Sequence, residues 1–139
     1  MKLTPEQKSI VNVVANEAEK KLERFGINAS VIITIGAPNK TPALMIETIE
    51  KALGYETGMY KVKSKKREVC ELRYICMLLF IHYFPSLKLK QIAKLLYLHD
   101  HATVLNGLKQ GNDLLESQDF SFTNNYKMAT KAVEKWMQE

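Results

Sequence analysis

From Lys66 to Tyr83 the chain has no glycine or proline, and Val69, Leu72, Cys76, Leu79 and Tyr83 recur on one stripe at helical spacing. The remaining faces are nearly as apolar, with Ile75 to Ile81 uninterrupted. A helix apolar over most of its circumference must be covered by other elements, so a bundle of helices around this segment is the expected architecture. The apolar run is far shorter than the ~20 residues that cross a bilayer, so no membrane span is expected. Phe84-Pro85-Ser86 stops the helix.

The flanking segments supply the cover. Thr4-Pro5-Glu6-Gln7 combines a capping hydroxyl, a proline at the first helical position and a glutamine three residues after the cap, so a helix is expected over residues 5–25. Val11, Val14, Ala15, Ala18, Leu22 and Phe25 give it an apolar face, and Gly26 ends it. Val31-Ile32-Ile33-Thr34-Ile35 is short and β-branched between Asn28 and Gly36, which predicts one buried strand. Its candidate partners are Met59-Tyr60-Lys61-Val62 or a symmetric copy of the chain, because a lone strand leaves backbone groups unpaired. Thr41-Pro42 opens a second helix carrying Met45, Ile46, Ile49 and Leu53 before Gly54. Tyr126, Ala129, Val133 and Trp136 predict a terminal helix.

At 139 residues, 46% hydrophobic and 25% charged, the chain is sized and composed for a folded domain rather than a disordered one. The expected division is an appendage, residues 1–40, followed by a helical domain, residues 41–139. Cys70 and Cys76 lie six positions apart in one helix, point to different faces and cannot reach disulfide geometry, so both are expected as reduced thiols. Nothing near Met1 has the pattern of a secretory signal, and a cytoplasmic location is expected.

Charge is distributed unevenly. Residues 1–60 carry seven basic and seven acidic side chains, so the whole formal charge of +5 resides in residues 61–139. Lys61, Lys63, Lys65, Lys66 and Arg67 cluster there, and Arg73, Lys88, Lys90, Lys94 and Lys109 follow. Clustered cations gain free energy by displacing counterions from phosphates, so a polyanionic partner is the natural expectation. A merely solvated basic surface is the bland alternative.

The segment after the central helix suggests how such a partner would be read. Leu89, Ile92, Ala93, Leu95 and Leu96 make a helix of about two turns; Tyr97-Leu98-His99 turns, and Asp100 caps a longer helix carrying Val104, Leu105, Leu108 and Leu115. A short helix, a tight turn and a longer helix is the helix-turn-helix plan, in which the first turn of the second helix meets base edges. That turn holds Asp100, His101, Ala102 and Thr103. A carboxylate accepts from a cytosine amino group, an imidazole donates or accepts at base edges, and the Ala and Thr methyls suit a thymine methyl.

On these residues, positions 61–137 resemble the carboxy-terminal DNA-binding domain of the bacterial replication initiator DnaA. Lys63-Ser64-Lys65-Lys66-Arg67-Glu68-Val69, with Arg73 beyond, looks like that family's basic loop and following helix. Asp100-His101-Ala102-Thr103-Val104 is similar to its Asp-His-Ser/Thr-Thr-Val motif, and Leu89 and Ile92 stand at matching positions. The resemblance implies a mainly α, Trp-repressor-like helix-turn-helix bundle, here with an amino-terminal helix and one strand. It places Lys65 in the minor groove, Asp100, His101 and Ala102 at major-groove bases, and Arg73 and Thr103 on phosphates. His99 joins the base-reading set, and Lys63, Lys66, Arg67 and Lys90 the phosphate contacts. The family's Gly-Gly-Arg before the aspartate is here Tyr97-Leu98-His99, its proline is Lys90, and its Ser/Thr is Ala102. Since β-carbons penalise positive φ, the turn is where this chain departs most from the family.

Sequence-specific binding of duplex DNA, regulating replication or transcription in the bacterial cytoplasm at the nucleoid, is therefore the expected function. No G-x-x-x-x-G-K-[ST] occurs and residues 1–60 are too few for the initiator's ATPase, so no nucleotide or other cofactor is expected. No catalytic residues and no metal site are expected either: adjacent Asp100 and His101 project about 100° apart, and no His or Cys pair has ligand spacing. The competing reading is an interaction module, dimerising through the first helix and the strand, with the helix-turn-helix kept as scaffold.

Overall fold

Four of the helices begin where the sequence supplies a side-chain acceptor for their free amide groups. Thr4 accepts from the backbone of Gln7, whose Oε1 accepts the Thr4 N–H at 2.9 Å; Thr41 accepts from Leu44 and Asp119 from Phe122. The computed structural model describes residues 3–33 and 40–139. Among them are six α-helices: α1 (Pro5–Arg24), α2 (Pro42–Ala52), α3 (Arg67–Tyr83), α4 (Leu89–Leu95), α5 (His101–Glu116) and α6 (Phe120–Gln138). A single 3-10 turn, Met59–Lys61, precedes α3. The chain is mainly helical, as its periodicity implied, and among the described residues no helix is long and apolar enough to cross a membrane.

The central role expected for the segment after Lys66 is realised by α3, which packs against α5, α2, α6 and the 3-10 turn. Leu72, Ile75, Cys76, Met77, Leu79 and Phe80 are all at most 1% exposed, so α3 is covered on several faces rather than on one stripe, and Tyr83 is only half-buried. Met45, Ile46 and Ile49 of α2 and Phe122, Ala129 and Val133 of α6 contribute to the core, as do Ile92 and Ala93 of α4, Leu96 at its carboxy-terminal cap and Val104 of α5. Each such large side chain contributes about 1.5–3 kcal/mol on burial. Burial pushes the Cys76 thiol well above its usual range, which makes it an inert core group.

On α5, Gly107 and Gly111 are buried and lie one turn apart facing α3. A β-carbon at Gly107 would lie 2.8 Å from Met77 Cε and closer still to its Sδ. The two helices approach as closely as they do because that position has no side chain.

The strand expected at Val31–Ile35 is not formed by Val31, Ile32 and Ile33, and Thr34 and Ile35 lie outside the described residues. Its proposed intrachain partner, Met59–Lys61, is a 3-10 turn. Side chains do what a neighbouring strand would have done. The Val31 N–H donates to Glu19 Oε1 at 3.1 Å, Gln91 Nε2 donates to the Val31 carbonyl at 2.8 Å, and Ser86 Oγ donates to the Ile33 carbonyl at 3.0 Å. With those groups satisfied, no sheet is needed here.

Glu19 also ties α1 to the start of α4. Lys88 Nζ donates to its Oε2 at 2.7 Å, and the Glu19 side chain is 12% exposed. The hydrogen bond from Lys88, then that from the Val31 amide, hold its carboxyl below the usual range. Since its folded value lies below its unfolded one, the stabilisation is complete above about pH 4.5 and is lost as pH falls through the lower folded value. Glu19→Ala is expected to lower stability by about 2 kcal/mol at neutral pH, from the loss of charge-assisted hydrogen bonds, and to flatten the acid limb of the stability curve. Denaturant titrations of both proteins at pH 7 and pH 3 check this; an equal deficit at both pH values would contradict it.

Candidate nucleic-acid interface

The turn between α4 and α5 is made by a left-handed residue. The Tyr97 N–H donates to the Lys94 carbonyl and the Leu98 N–H to the Ala93 carbonyl, the paired bonds of a Schellman ending. Tyr97 takes φ 58° where a glycine would be unstrained, so the β-carbon has not abolished the turn. Its ring is held in place: Tyr60 packs edge-on at 5.9 Å between centroids, and the Lys61 ammonium lies 5.2 Å from the Tyr97 ring and 5.8 Å from the Tyr60 ring. These contacts dock the amino-terminal part of the basic loop directly against the turn that leads into α5.

Beyond the turn, His99, Asp100, His101, Ala102 and Thr103 are all exposed, so the first turn of α5 faces solvent. Asp100 is its cap: Oδ1 accepts the Thr103 N–H at 3.0 Å and the Thr103 hydroxyl at 3.1 Å. Those two bonds, the backbone one first, hold the Asp100 carboxyl below its usual range, with smaller help from His99 and His101. The carboxylate assigned to base reading is thus engaged in starting the helix, as is the hydroxyl assigned to a phosphate. His101 and Ala102 have no such structural engagement. One turn on, Leu105 is 58% exposed, with Asn106 and Lys109 beside it on the outer face. Leu105 was expected in the apolar stripe with Val104 and Leu108; that stripe instead runs Val104, Gly107, Leu108 and Gly111, and the two glycines were the signal that could have shown it.

The predicted cationic residues divide into two groups. Arg73 donates to the carbonyls of Tyr60, at 3.0 Å, and of Val62, so its guanidinium shapes the loop from behind. Arg67 is paired twice, with Glu71 at 2.7 Å and with Asp119 at 2.8 Å, joining the start of α3 to the cap of α6. Lys63, Lys65, Lys66 and Lys90 are exposed and make no ion pair among the described residues. Lys61, part of the basic cluster but outside the set expected to touch DNA, is the cation that links loop and turn. Comparison with family models, with curated proteins and with solved structures found no match.

Proposed function

We propose that this chain binds duplex DNA, with the outer face of α5 in the major groove and the Lys63–Lys66 loop on the adjacent backbone or minor groove. The reading is that of a helix-turn-helix domain resembling the carboxy-terminal domain of the DnaA initiator. One observation carries it: Lys61 and Tyr60 of the basic loop pack on Tyr97 of the turn whose far end presents the exposed first turn of α5. A loop of free lysines and a solvent-facing helix start, joined at one point, would supply phosphate neutralisation and base contact respectively. His99, His101, Ala102 and Leu105 are the base-reading candidates; Asp100 keeps one carboxylate oxygen beyond its capping role. Arg67 and Arg73 act as positioning residues for the loop and helix. Binding of this kind would regulate replication or transcription at the sites it selects, and would hold the protein on the nucleoid.

Titration of the chain against a random duplex pool at several salt concentrations tests the proposal. Log affinity is expected to fall by several units per unit of log salt, and His101→Ala to change base preference by ~1–3 kcal/mol at one position. The second reading, an interaction module, is favoured by the exposed Ile10, Val13 and Val14 of α1, and predicts weak, salt-insensitive contact with DNA.

A further inference from the structure

We infer that the outer face of α1 is a self-association surface on which a second copy of this chain lays its own α1 antiparallel. Ala15 is the one buried residue of helix α1, Val11, Ala18 and Leu22 on the same side are half-buried, and Glu19 bonds to Lys88. Ile10, Val13 and Val14 are 62%, 50% and 50% exposed. At about 100° per residue, Glu6, Ile10, Val13, Val14, Glu17 and Lys21 fall on one stripe roughly 100° wide.

The arrangement of charge on that stripe names the occupant. Glu6 lies seven positions before Val13, and Lys21 lies seven positions after Val14. A two-fold axis between Val13 and Val14 therefore sets each Val13 against the other copy's Val14 and each Glu6 against the other copy's Lys21. The stem of Glu17 then covers the other copy's Ile10. A parallel arrangement would oppose Glu6 to Glu6 and Lys21 to Lys21. Neither Glu6 nor Lys21 makes an ion pair among the described residues, so both are free to make this one. The self-complementarity is what an isologous interface requires, and the carboxylates of Glu6 and Glu17 make the face unsuited to an acidic lipid surface. Dimerisation here depends on neither α5 nor the basic loop, so it stands or falls independently of DNA binding.

Sedimentation equilibrium of the full 139-residue chain over roughly 1–200 µM tests it. The average mass is expected to climb from 15.9 kDa toward twice that value. Val14→Asp should weaken association at least about tenfold, by placing a charge at the centre of the contact. Glu6→Lys and Lys21→Glu should each weaken it about fivefold, and the two together should restore it to within about threefold of the parent, since each dimer contains the pair twice. Circular dichroism should show the same helix content in every variant, because all the altered positions are exposed. A monomer across the whole range, a dimer indifferent to Val14→Asp, or a double exchange no better than either single one overturns the inference; the last two outcomes would transfer the contact to another surface or to a different helix register.

Discussion

Gly107→Val is expected to destabilise the chain by about 3 kcal/mol, with a fall in melting temperature of about 10 °C, because it drives a β-carbon and two methyl groups into the contact between α5 and Met77 of α3. The β-carbon alone would stand 2.8 Å from Met77 Cε, and Met77 is 1% exposed, so the thioether has nowhere to retreat without disturbing the core. Magnitudes separate this position from its neighbour. Replacing glycine by alanine inside a helix gains about 1 kcal/mol in propensity, and overpacking costs about 1–3 kcal/mol. At Gly107 the cost wins, so Gly107→Ala should still lose about 1–2 kcal/mol. At Gly111 the nearest atom is Leu78 Cδ1 at 3.1 Å, on a side chain that is only partly buried and can give way, so Gly111→Ala should be neutral or slightly stabilising. Met77→Ala combined with Gly107→Ala should be less destabilising than the sum of the two, since the cavity of one accepts the methyl of the other. Urea titrations of the parent and these five variants, the Met77→Ala single variant included, check the set; an additive double variant would show that Met77 does not set the limit.

Replacing Lys63, Lys65 and Lys66 together by alanine is expected to weaken the proposed DNA binding on the order of 100-fold near 0.1 M salt, and to reduce the slope of log affinity against log salt by about 2–3. These three are exposed, unpaired among the described residues and free of any hydrogen bond through their ammonium groups, so folding stability should be unchanged. Arg67→Ala and Arg73→Ala provide the contrast. Both guanidiniums are bonded to other parts of the chain, Arg67 at the surface to Glu71 and Asp119 and Arg73 to the carbonyls of Tyr60 and Val62, so their loss should lower thermal stability as well as affinity. Fluorescence anisotropy across a salt series, paired with melting curves, separates the two behaviours. An undiminished salt slope in the triple lysine variant would remove the loop from the proposed interface.

Several elements could be read before any coordinates because their causes are local. Thr4 with Gln7, Thr41 with Leu44 and Asp100 with Thr103 each complete a cap within three residues, and the predicted helix starts follow from them. The unbroken segment before Tyr83 is the central helix because nothing in it interrupts hydrogen bonding and almost every face is apolar. Leu105 was misplaced for an equally plain reason: leucine at helical spacing is the usual mark of a core, and only the two glycines lining the real contact argue against it. The turn at Tyr97 keeps its left-handed backbone although the residue type discourages it, closed by the paired bonds to the Lys94 and Ala93 carbonyls, and Tyr60 and Lys61, brought from another part of the chain, pack on its ring.

The residue order alone determined that this is a helical chain, where most of its helices begin, and that its surplus positive charge belongs to residues 61–139, since capping, periodicity and composition act over a few neighbouring residues. Tertiary structure decided what those charges and backbone groups are used for. Gln91 reaches back 60 residues to the Val31 carbonyl and Arg67 reaches forward 52 to Asp119, and no local pattern encodes either meeting. Polar groups must find partners wherever folding leaves them, so Val31 and Ile33, patterned as part of a strand, are tethered by side chains instead, and Arg67 and Arg73 take partners within the chain that their local sequence does not announce.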